Sequence, residues 1–284
     1  MAGPALAALL CLGHFPSLTI TLVGLVTVFA GYTAVYALND LMDLRTDRER
    51  VHIDSFSVTE KQMDPDGVLT RHPLAKGVLN FKAGLIWTCG WALIAVIGAF
   101  WLNPVCLLIF MAGCLLEAFY CKLWRITPLR TLINGLVKTL GALAAVFAVQ
   151  PSPDTGFLLL LFLWLFFWEI GGQNIPNDWA DIHEDRQLQA RTIPIYFGLQ
   201  KAGILSITAL TAALVFHLGL LWASPLPFGP LFMLAALALN LILLLIPALN
   251  MVKHRHPSSA MALFNKASYY PLATLALVLL RIAI

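Results

Sequence analysis

The stretch that decides the fold is Asn39-Asp40-Leu41-Met42-Asp43-Leu44-Arg45-Thr46-Asp47, which closes a strongly apolar segment. The chain repeats the pattern at Asn177-Asp178-Trp179-Ala180-Asp181-Ile182-His183-Glu184-Asp185, again at the end of an apolar segment. Both copies read N-D-x-x-D-x-x-x-D, and steps of three and four residues return to one face of a helix. The spacing therefore predicts two helix ends, each carrying a stripe of carboxylates.

Carboxylates that share a helix face repel one another, and the cost rises at a membrane boundary. A hard divalent cation relieves this repulsion because such ions prefer oxygen ligands. A single D-x-x-x-D is usually a solvated helix end, but two full copies at membrane ends disfavour that interpretation. The pattern therefore predicts six metal ligands: Asp40, Asp43, Asp47, Asp178, Asp181 and Asp185.

The composition is that of an integral membrane protein. Of the 284 residues, 60% are hydrophobic and 12% are charged, whereas a soluble domain carries about 25% charged residues. The mean hydropathy is +0.82. The five cysteines form no C-x-x-C pair and are interpreted as small core residues. We predict an all-α, multi-pass membrane protein with one domain, 1–284, surrounded by membrane lipid and without a nucleic-acid partner.

Nine apolar segments follow one another along the chain. They are predicted at 1–12, 17–38, 81–101, 105–120, 132–149, 156–172, 202–223, 228–249 and 269–284. The first is too short to span a bilayer, which needs about 20 apolar residues. It is either the second half of a spanning helix whose start is missing or a helix lying shallow. The long polar stretch 44–80 is predicted as a loop within the domain.

The basic residues predict the orientation. Connections at the motif ends of the segments carry many Lys and Arg residues, whereas the opposite connections carry none. By the positive-inside rule both motifs face the cytoplasm. The second motif follows the first after an even number of crossings, so both copies lie on the same face and can converge over one cavity.

At these residues the sequence resembles the UbiA superfamily of intramembrane prenyltransferases over nearly its whole length. Both Asp-rich motifs match the family pattern. The stretch 71–77 (RHPLAKG) looks like the family's Arg-Pro-Leu-x-x-Gly segment, and Arg191-Thr192-Ile193-Pro194 resembles its Arg-Thr-Leu-Pro. Tyr120 with Lys122 and Arg125 is similar to the Tyr and basic residues that end the fourth helix. In this chain Trp124 stands where Lys is common, and 55–66 looks like an insertion.

The resemblance implies nine transmembrane helices around a central cavity and transfer of an isoprenyl chain from an isoprenyl diphosphate with Mg²⁺. The expected catalytic residues are Asp43, Asp181, Lys122 and Arg125, with the six motif carboxylates holding Mg²⁺. Expected substrate-binding residues are Asn39, Arg71, Lys76, Tyr120, Asn134, Lys138, Asn177 and Arg191. Tyr32 and Tyr36 are candidates for stabilising a carbocation by cation–π contact.

The sequence does not identify the acceptor of the isoprenyl group, and several alternatives remain. The family base rate favours an aromatic or quinone-precursor acceptor that is soluble in the membrane. Prenyl transfer to a glycerol phosphate and phosphoribosyl transfer to a polyprenyl phosphate are the enzymatic alternatives, and a transporter with intramembrane acids is the non-enzymatic one. The expected location is the inner membrane of a bacterium or archaeon, with both motifs on the cytoplasmic side.

Overall fold

A computed structural model describes residues 2–54 and 73–284, which are helical and, within those ranges, contain no strand. The helices are α1 (Ala2–Leu12), α2 (Leu18–Met42), α3 (Leu44–Asp54), α4 (Phe81–Leu102), α5 (Pro104–Lys122), α6 (Arg130–Val149), α7 (Thr155–Trp168), α8 (Ile175–Ala180), α9 (Ile182–Gln187), α10 (Ile193–Ala223), α11 (Pro230–Asn240), α12 (Ile246–His254) and α13 (Pro257–Ala283).

Eight helical spans in the described part of the chain are long and apolar enough to cross a membrane. Each of the eight segments predicted after the first begins or ends within a few residues of one of these spans, and the all-α membrane fold is confirmed. The 11-residue helix α1 is shorter than a bilayer crossing. Its residues Leu6, Ala7 and Leu10 are fully buried, and it packs against α6 and α13. This packing favours a member of the bundle over a helix lying shallow at the surface.

Short polar residues start several of the helices. The side chains of Asn80, Asn103 and Asp154 each accept a hydrogen bond of 2.8 Å from a backbone N–H in the first turn of the helix that follows. Such caps satisfy amide groups that have no partner inside the helix. Asn103 also ends α4, so this one residue joins α4 to α5.

Two spans contain a π-helical turn, at Glu169–Asn174 and at Leu241–Leu245. Each turn is followed directly by a short α-helix with proline in its first turn, Pro176 in α8 and Pro247 in α12. Proline has no N–H and its ring clashes with the carbonyl four residues earlier. The extra residue of a π turn shifts that register before the proline, so the helix continues past it.

The structure corrects three predicted boundaries. The stretch 44–80 is not a loop throughout, because α3 occupies Leu44–Asp54. Helix α10 begins at Ile193 rather than Ala202, with a break at Gly198 (φ 81°), and α13 begins at Pro257 rather than Tyr269. The reason is the same in each case: hydropathy reports which residues face lipid, whereas polar turns at the membrane surface remain helical.

The bundle buries a polar cluster between α7, α10, α11 and α13. Tyr270 accepts a 3.0 Å hydrogen bond from Trp164 and donates one of 3.0 Å to Asn240. Its hydroxyl also lies 2.8 Å from His217 Nδ1, and the His217 ring stacks on Trp164 at 4.4 Å. Hydrogen bonds between helices satisfy polar groups that have no water to bind in the bilayer. The contacts indicate that this cluster holds the helices together.

Candidate active site

The two motifs share one backbone conformation. Asp43 ends α2 with φ −91° and ψ 2°, and Asp181 ends α8 with φ −91° and ψ 12°. A new helix starts at the next residue in each case, α3 at Leu44 and α9 at Ile182. The helix face predicted for each motif is therefore interrupted, because the central Asp of each motif leaves helical geometry. The N–H groups of Asp43 and Asp181 still donate to the carbonyls of the motif asparagines, at 2.9 and 3.1 Å, so the spacing of the carboxylates is nearly kept.

The motif carboxylates differ in burial. Asp47, Asp178 and Asp185 are buried, at 4%, 5% and 2% exposure. Asp40, Asp43 and Asp181 are half-buried. The last Asp of each motif thus points into the protein, while the central Asp of each remains accessible to a ligand at the membrane boundary.

An arginine that the sequence did not single out holds the second motif. Arg130 Nη2 donates to Asp178 Oδ1 at 3.0 Å, and both side chains are more than nine-tenths buried. The guanidinium also lies 4.9 Å from the centre of the Tyr120 ring, a cation–π contact. In the sequence, Arg130 is one more basic residue at the motif end of the bundle, where the positive-inside rule already accounts for it. Its pairing depends on Asp178, 48 residues away, which no local pattern reveals.

The first motif is attached to α5. Asn39 Nδ2 donates to Glu117 Oε1 at 2.7 Å and approaches Cys121 Sγ at 3.4 Å. The Cys121 side chain is in turn hydrogen-bonded to Asp43. Tyr120 of α5 also contacts Arg130, so the end of α5 contacts both Asn39 of the first motif and the arginine that holds the second.

A second polar layer lies deeper in the bundle. Asn134 Nδ2 donates to Asn174 Oδ1 at 2.7 Å, and Asn174 Nδ2 donates to Glu169 Oε1 at 2.9 Å. The π turn brings Glu169 and Asn174, five residues apart, into contact, whereas regular α-helical spacing would place Gln173 beside Glu169. Gln173 instead donates to the carbonyl of Phe264 in α13, at 3.2 Å.

Lys138 and Tyr36 form the polar end of a large apolar cavity. Lys138 Nζ donates to Tyr36 Oη at 3.0 Å and lies 4.3 Å from the centre of that ring. The cavity measures about 380 Å³ and extends from these residues between α1, α2, α5 and α6. Within the described part of the chain, Lys138 is the only charged residue that lines it. The lining of this cavity is almost entirely apolar, so it suits a hydrocarbon chain of isoprenoid type.

A second cavity, of about 720 Å³, opens on the other side of Tyr32 and Tyr36. It lies between α2, α4 and the segment 73–79, with Asp40 of the first motif in its wall. Its remaining lining is largely apolar: Phe29, Thr33, Ala37, Pro73, Leu74, Leu79, Gly84 and Trp87. The two tyrosines belong to both cavities, so the cavities meet one helical turn from Asp40.

Two of the predicted basic residues hold loops in place. Arg125 donates through Nε to the carbonyl of Leu188 at 3.1 Å and pairs through Nη2 with Glu49 of α3. Arg191 Nη1 donates to the carbonyl of Ile126 at 3.2 Å. The contacts of Arg125 with Glu49 and Leu188 join the segments that follow the two motifs.

The other predicted site residues are less constrained. Lys122 and Lys76 are exposed, and Asn177 is half-buried. Arg71 lies outside the described residues, as does the insertion at 55–66. The proposed phosphate-binding roles of these residues remain predictions.

The residues fit Mg²⁺ bound together with a substrate rather than in a closed protein site. Within residues 2–54 and 73–284, no three His, Cys, Asp or Glu side chains are close enough to form a metal site by themselves. Mg²⁺ usually binds through one or two carboxylates and completes its shell with substrate phosphates and water. The half-buried Asp40, Asp43 and Asp181 offer that kind of incomplete ligand set.

Comparison with known proteins decides the family. The model of the UbiA prenyltransferase family matches residues 1–275. The chain belongs to the UbiA prenyltransferase family. The resemblance found in the two motifs is thereby confirmed.

Two curated relatives carry the name digeranylgeranylglyceryl phosphate synthase. That of Methanosarcina barkeri is 27% identical over 268 residues, which are 92% of this chain and 82% of the relative. That of Pyrococcus horikoshii is 26% identical over 183 residues, which are 63% of this chain and 57% of the relative.

Solved structures of UbiA homologues share the fold. The homologue from Aeropyrum pernix K1 superposes with a TM-score of 0.72 at 19% identity, covering 98% of this chain and 95% of that one. The homologue from Archaeoglobus fulgidus bound to GPP and Mg²⁺ gives a TM-score of 0.66 at 13% identity, covering 100% of this chain and 95% of that one.

Proposed function

We propose that this protein transfers an isoprenyl group from an isoprenyl diphosphate to the free hydroxyl of a prenylated glyceryl phosphate. The observation that carries this proposal is the pair of largely apolar cavities that meet at Tyr32 and Tyr36, beside Asp40. A reaction between two lipids needs room for two chains, whereas a small aromatic acid needs only one. The names of the curated relatives favour the same acceptor. The glycerol phosphate alternative thus replaces the aromatic or quinone-precursor acceptor as the leading hypothesis.

The reaction breaks the bond between C1 of the donor and its diphosphate oxygen, and forms a bond from C1 to the acceptor oxygen. Inorganic pyrophosphate leaves, and the hydroxyl proton passes to a base, for which a carboxylate of the second motif is suited. Tyr36 and Tyr32 lie between the two cavities, where their rings face a developing carbocation and exclude water from it. Lys122, Arg191 and Lys76 supply positive charge for the diphosphate.

Asp40, Asp43 and Asp181 are the residues proposed to hold Mg²⁺, with Asp47, Asp178 and Asp185 as further candidates. The A. fulgidus homologue was solved with GPP and Mg²⁺. When bound, the ion neutralises charge that develops on the leaving pyrophosphate. The oxygen-rich, incomplete ligand sets of this chain suit an ion that the diphosphate completes.

The test is an acceptor panel with purified protein in detergent or liposomes. Labelled geranylgeranyl diphosphate is incubated with geranylgeranylglyceryl phosphate, with 4-hydroxybenzoate, or with no acceptor, and lipid products are separated. We expect a labelled digeranylgeranyl product only with the glyceryl phosphate, with turnover lost in EDTA and restored by Mg²⁺. A prenylated benzoate would return the aromatic acceptor to first place.

Other outcomes point to the remaining alternatives. Transfer of a labelled phosphoribosyl group from its diphosphate to a polyprenyl phosphate, with release of pyrophosphate, would indicate phosphoribosyl transfer. Transport without pyrophosphate release would indicate a carrier. The chain itself is an integral, multi-pass membrane protein, and we propose the cytoplasmic membrane as its location, with both motifs facing the cytoplasm.

A further inference from the structure

Glu117 is a buried carboxylate for which the proposed reaction has no use. It is 4% exposed, lies in α5 one turn before Cys121, and belongs to neither motif. One carboxylate oxygen, Oε1, accepts the 2.7 Å hydrogen bond from Asn39 Nδ2. A charged group is expensive to place inside a membrane protein, so a buried carboxylate with a specific partner indicates a role.

The contact determines which way the Asn39 amide faces. An ionised carboxylate only accepts hydrogen bonds, so the amide nitrogen of Asn39 must face Glu117. The approach of Asn39 Nδ2 to Cys121 Sγ, at 3.4 Å, involves the same nitrogen. The carbonyl oxygen, Oδ1, is therefore directed away from α5. With the amide reversed, two oxygens would face each other and Asn39 would present N–H groups, which bind no cation.

Cys121 makes a parallel contact one turn further along. Asn39 and Asp43 are four residues apart on α2, and their partners Glu117 and Cys121 are four residues apart on α5. The side chains of Asn39 and Asp43 are thus oriented by α5 before any ligand binds. Groups that orient metal ligands in this way strengthen metal binding, because the ligand side chains lose less conformational entropy when the ion binds.

We propose that Glu117 is a positioning residue of the first motif, which holds the Asn39 carbonyl oxygen toward a divalent cation bound with the diphosphate. This inference rests on the proposed function. The second motif uses an arginine for the corresponding task, since Asp178 is fixed by Arg130. The two copies therefore have different supports, an acid for the first and a base for the second.

Two variants separate positioning from charge. Glu117→Gln keeps an oxygen that accepts from Asn39 but loses the charge, whereas Glu117→Leu removes both. Leu115→Ala, on the lipid-facing side of α5, is the control because Leu115 is 60% exposed. Mn²⁺ binding in the presence of inorganic pyrophosphate is measured by electron paramagnetic resonance, together with the Mg²⁺ midpoint of turnover and a thermal melt.

We expect Glu117→Leu to weaken Mn²⁺ binding by at least about tenfold, the usual effect of losing a residue that orients a metal ligand. Glu117→Gln and Leu115→Ala should remain near wild type. Wild-type affinity in Glu117→Leu would overturn the inference, and so would equal losses in the Leu and Gln variants. Absence of Mn²⁺ binding by the wild type would instead overturn the proposed function itself.

A reciprocal pair keeps the inference testable if the Leu variant fails to fold. Asn39→Asp alone places two carboxylates in contact and should bind Mn²⁺ poorly. Adding Glu117→Gln to the same chain supplies an N–H donor to the new carboxylate, so the double variant should bind better than Asn39→Asp alone. No improvement in the double variant would contradict the positioning role.

Discussion

At the scale of single residues, the two motifs are alike in backbone and unlike in support. Asp43 and Asp181 each lie at the break between two helices of their own motif, and φ is −91° at both residues. A residue at such a break directs its side chain differently from its helical neighbours, which favours these two as the carboxylates that meet a shared ligand. If both reach one diphosphate through metal ions, they act as a unit.

We therefore expect Asp43→Asn and Asp181→Asn each to abolish most activity while the protein stays folded. Asn keeps the shape but loses the charge that attracts a hard cation. The double variant should be scarcely worse than the poorer single variant, because residues that act as a unit are non-additive. Single-turnover transfer rates and thermal melts give the comparison.

Asp154→Asn is the control for this pair. Asp154 caps α7 at the opposite end of the bundle through a 2.8 Å hydrogen bond, and asparagine caps a helix equally well. Near-normal activity in Asp181→Asn would show that the second motif is structural.

The buried Arg130–Asp178 pair leads to a prediction about stability. Arg130→Gln leaves the Asp178 carboxylate buried without its cation, which costs about 3–5 kcal/mol. We expect a large fall in melting temperature, partly recovered by adding Asp178→Asn. Arg186→Gln, at an exposed position in α9, should change the melting temperature little. Equal melting of Arg130→Gln and wild type would mean that the pair is dispensable for folding.

At the scale of elements, the π turn Glu169–Asn174 sets how closely the second motif's helix approaches α10. Gly171 lies in this turn, and a methyl group added there would lie 2.8 Å from the Ser206 carbonyl oxygen and 3.0 Å from Ala209 Cβ. The Ser206 hydroxyl also donates to the Gly171 carbonyl at 2.6 Å, so α10 and the π turn are in direct contact here. A small residue at such a crossing lets membrane helices pack closely.

Gly171→Ala should therefore destabilise the protein by about 1–3 kcal/mol, the usual effect of overpacking. Gly24→Ala is the matched control, because no atom lies within 4 Å of the added methyl group. The control should be neutral or slightly stabilising, since alanine is the better helix former. Thermal melts in one detergent measure both variants, and a normal melting temperature for Gly171→Ala would contradict the tight contact.

The acidic motifs could be predicted from the sequence, whereas the contacts made by the π turn and by α5 could not. The acidic motifs repeat at fixed spacing, so their shared face of the membrane follows from counting apolar segments. The contact between Glu169 and Asn174 does not follow, because a π turn changes the spacing from four to five residues. Asn39 was predicted as a site residue, whereas Glu117, its partner 78 residues away, required the packing of α5 on α2.

At the scale of the whole molecule, the described connections that follow the two motifs, α5 and α12 carry most of the basic residues, whereas Arg281 lies near the other end of α13. Helix α13 starts just after Lys253 and Arg255 and is long and apolar enough to cross a membrane. By the positive-inside rule, the C-terminus should lie outside and the link at 253–256 inside. Alkaline phosphatase fused after Ile284 should be active in intact cells, because it folds outside the cytoplasm. A fluorescent protein inserted after Arg255 should fluoresce, because it matures inside the cytoplasm. The reverse pattern would place both motifs outside the cytoplasm.

The pairing of Arg130 with Asp178 also imposes an order on synthesis. Arg130 opens α6, yet its partner follows 48 residues later, after α7 has been made. A ribosome adding about 5–20 residues per second needs roughly 2–10 s to reach it. During that interval an arginine without its carboxylate is costly inside hydrocarbon, so it should remain among lipid headgroups. Synthesis of the second motif then allows α6 to settle to its final depth, so α6 should reach that depth only after α8 has been made.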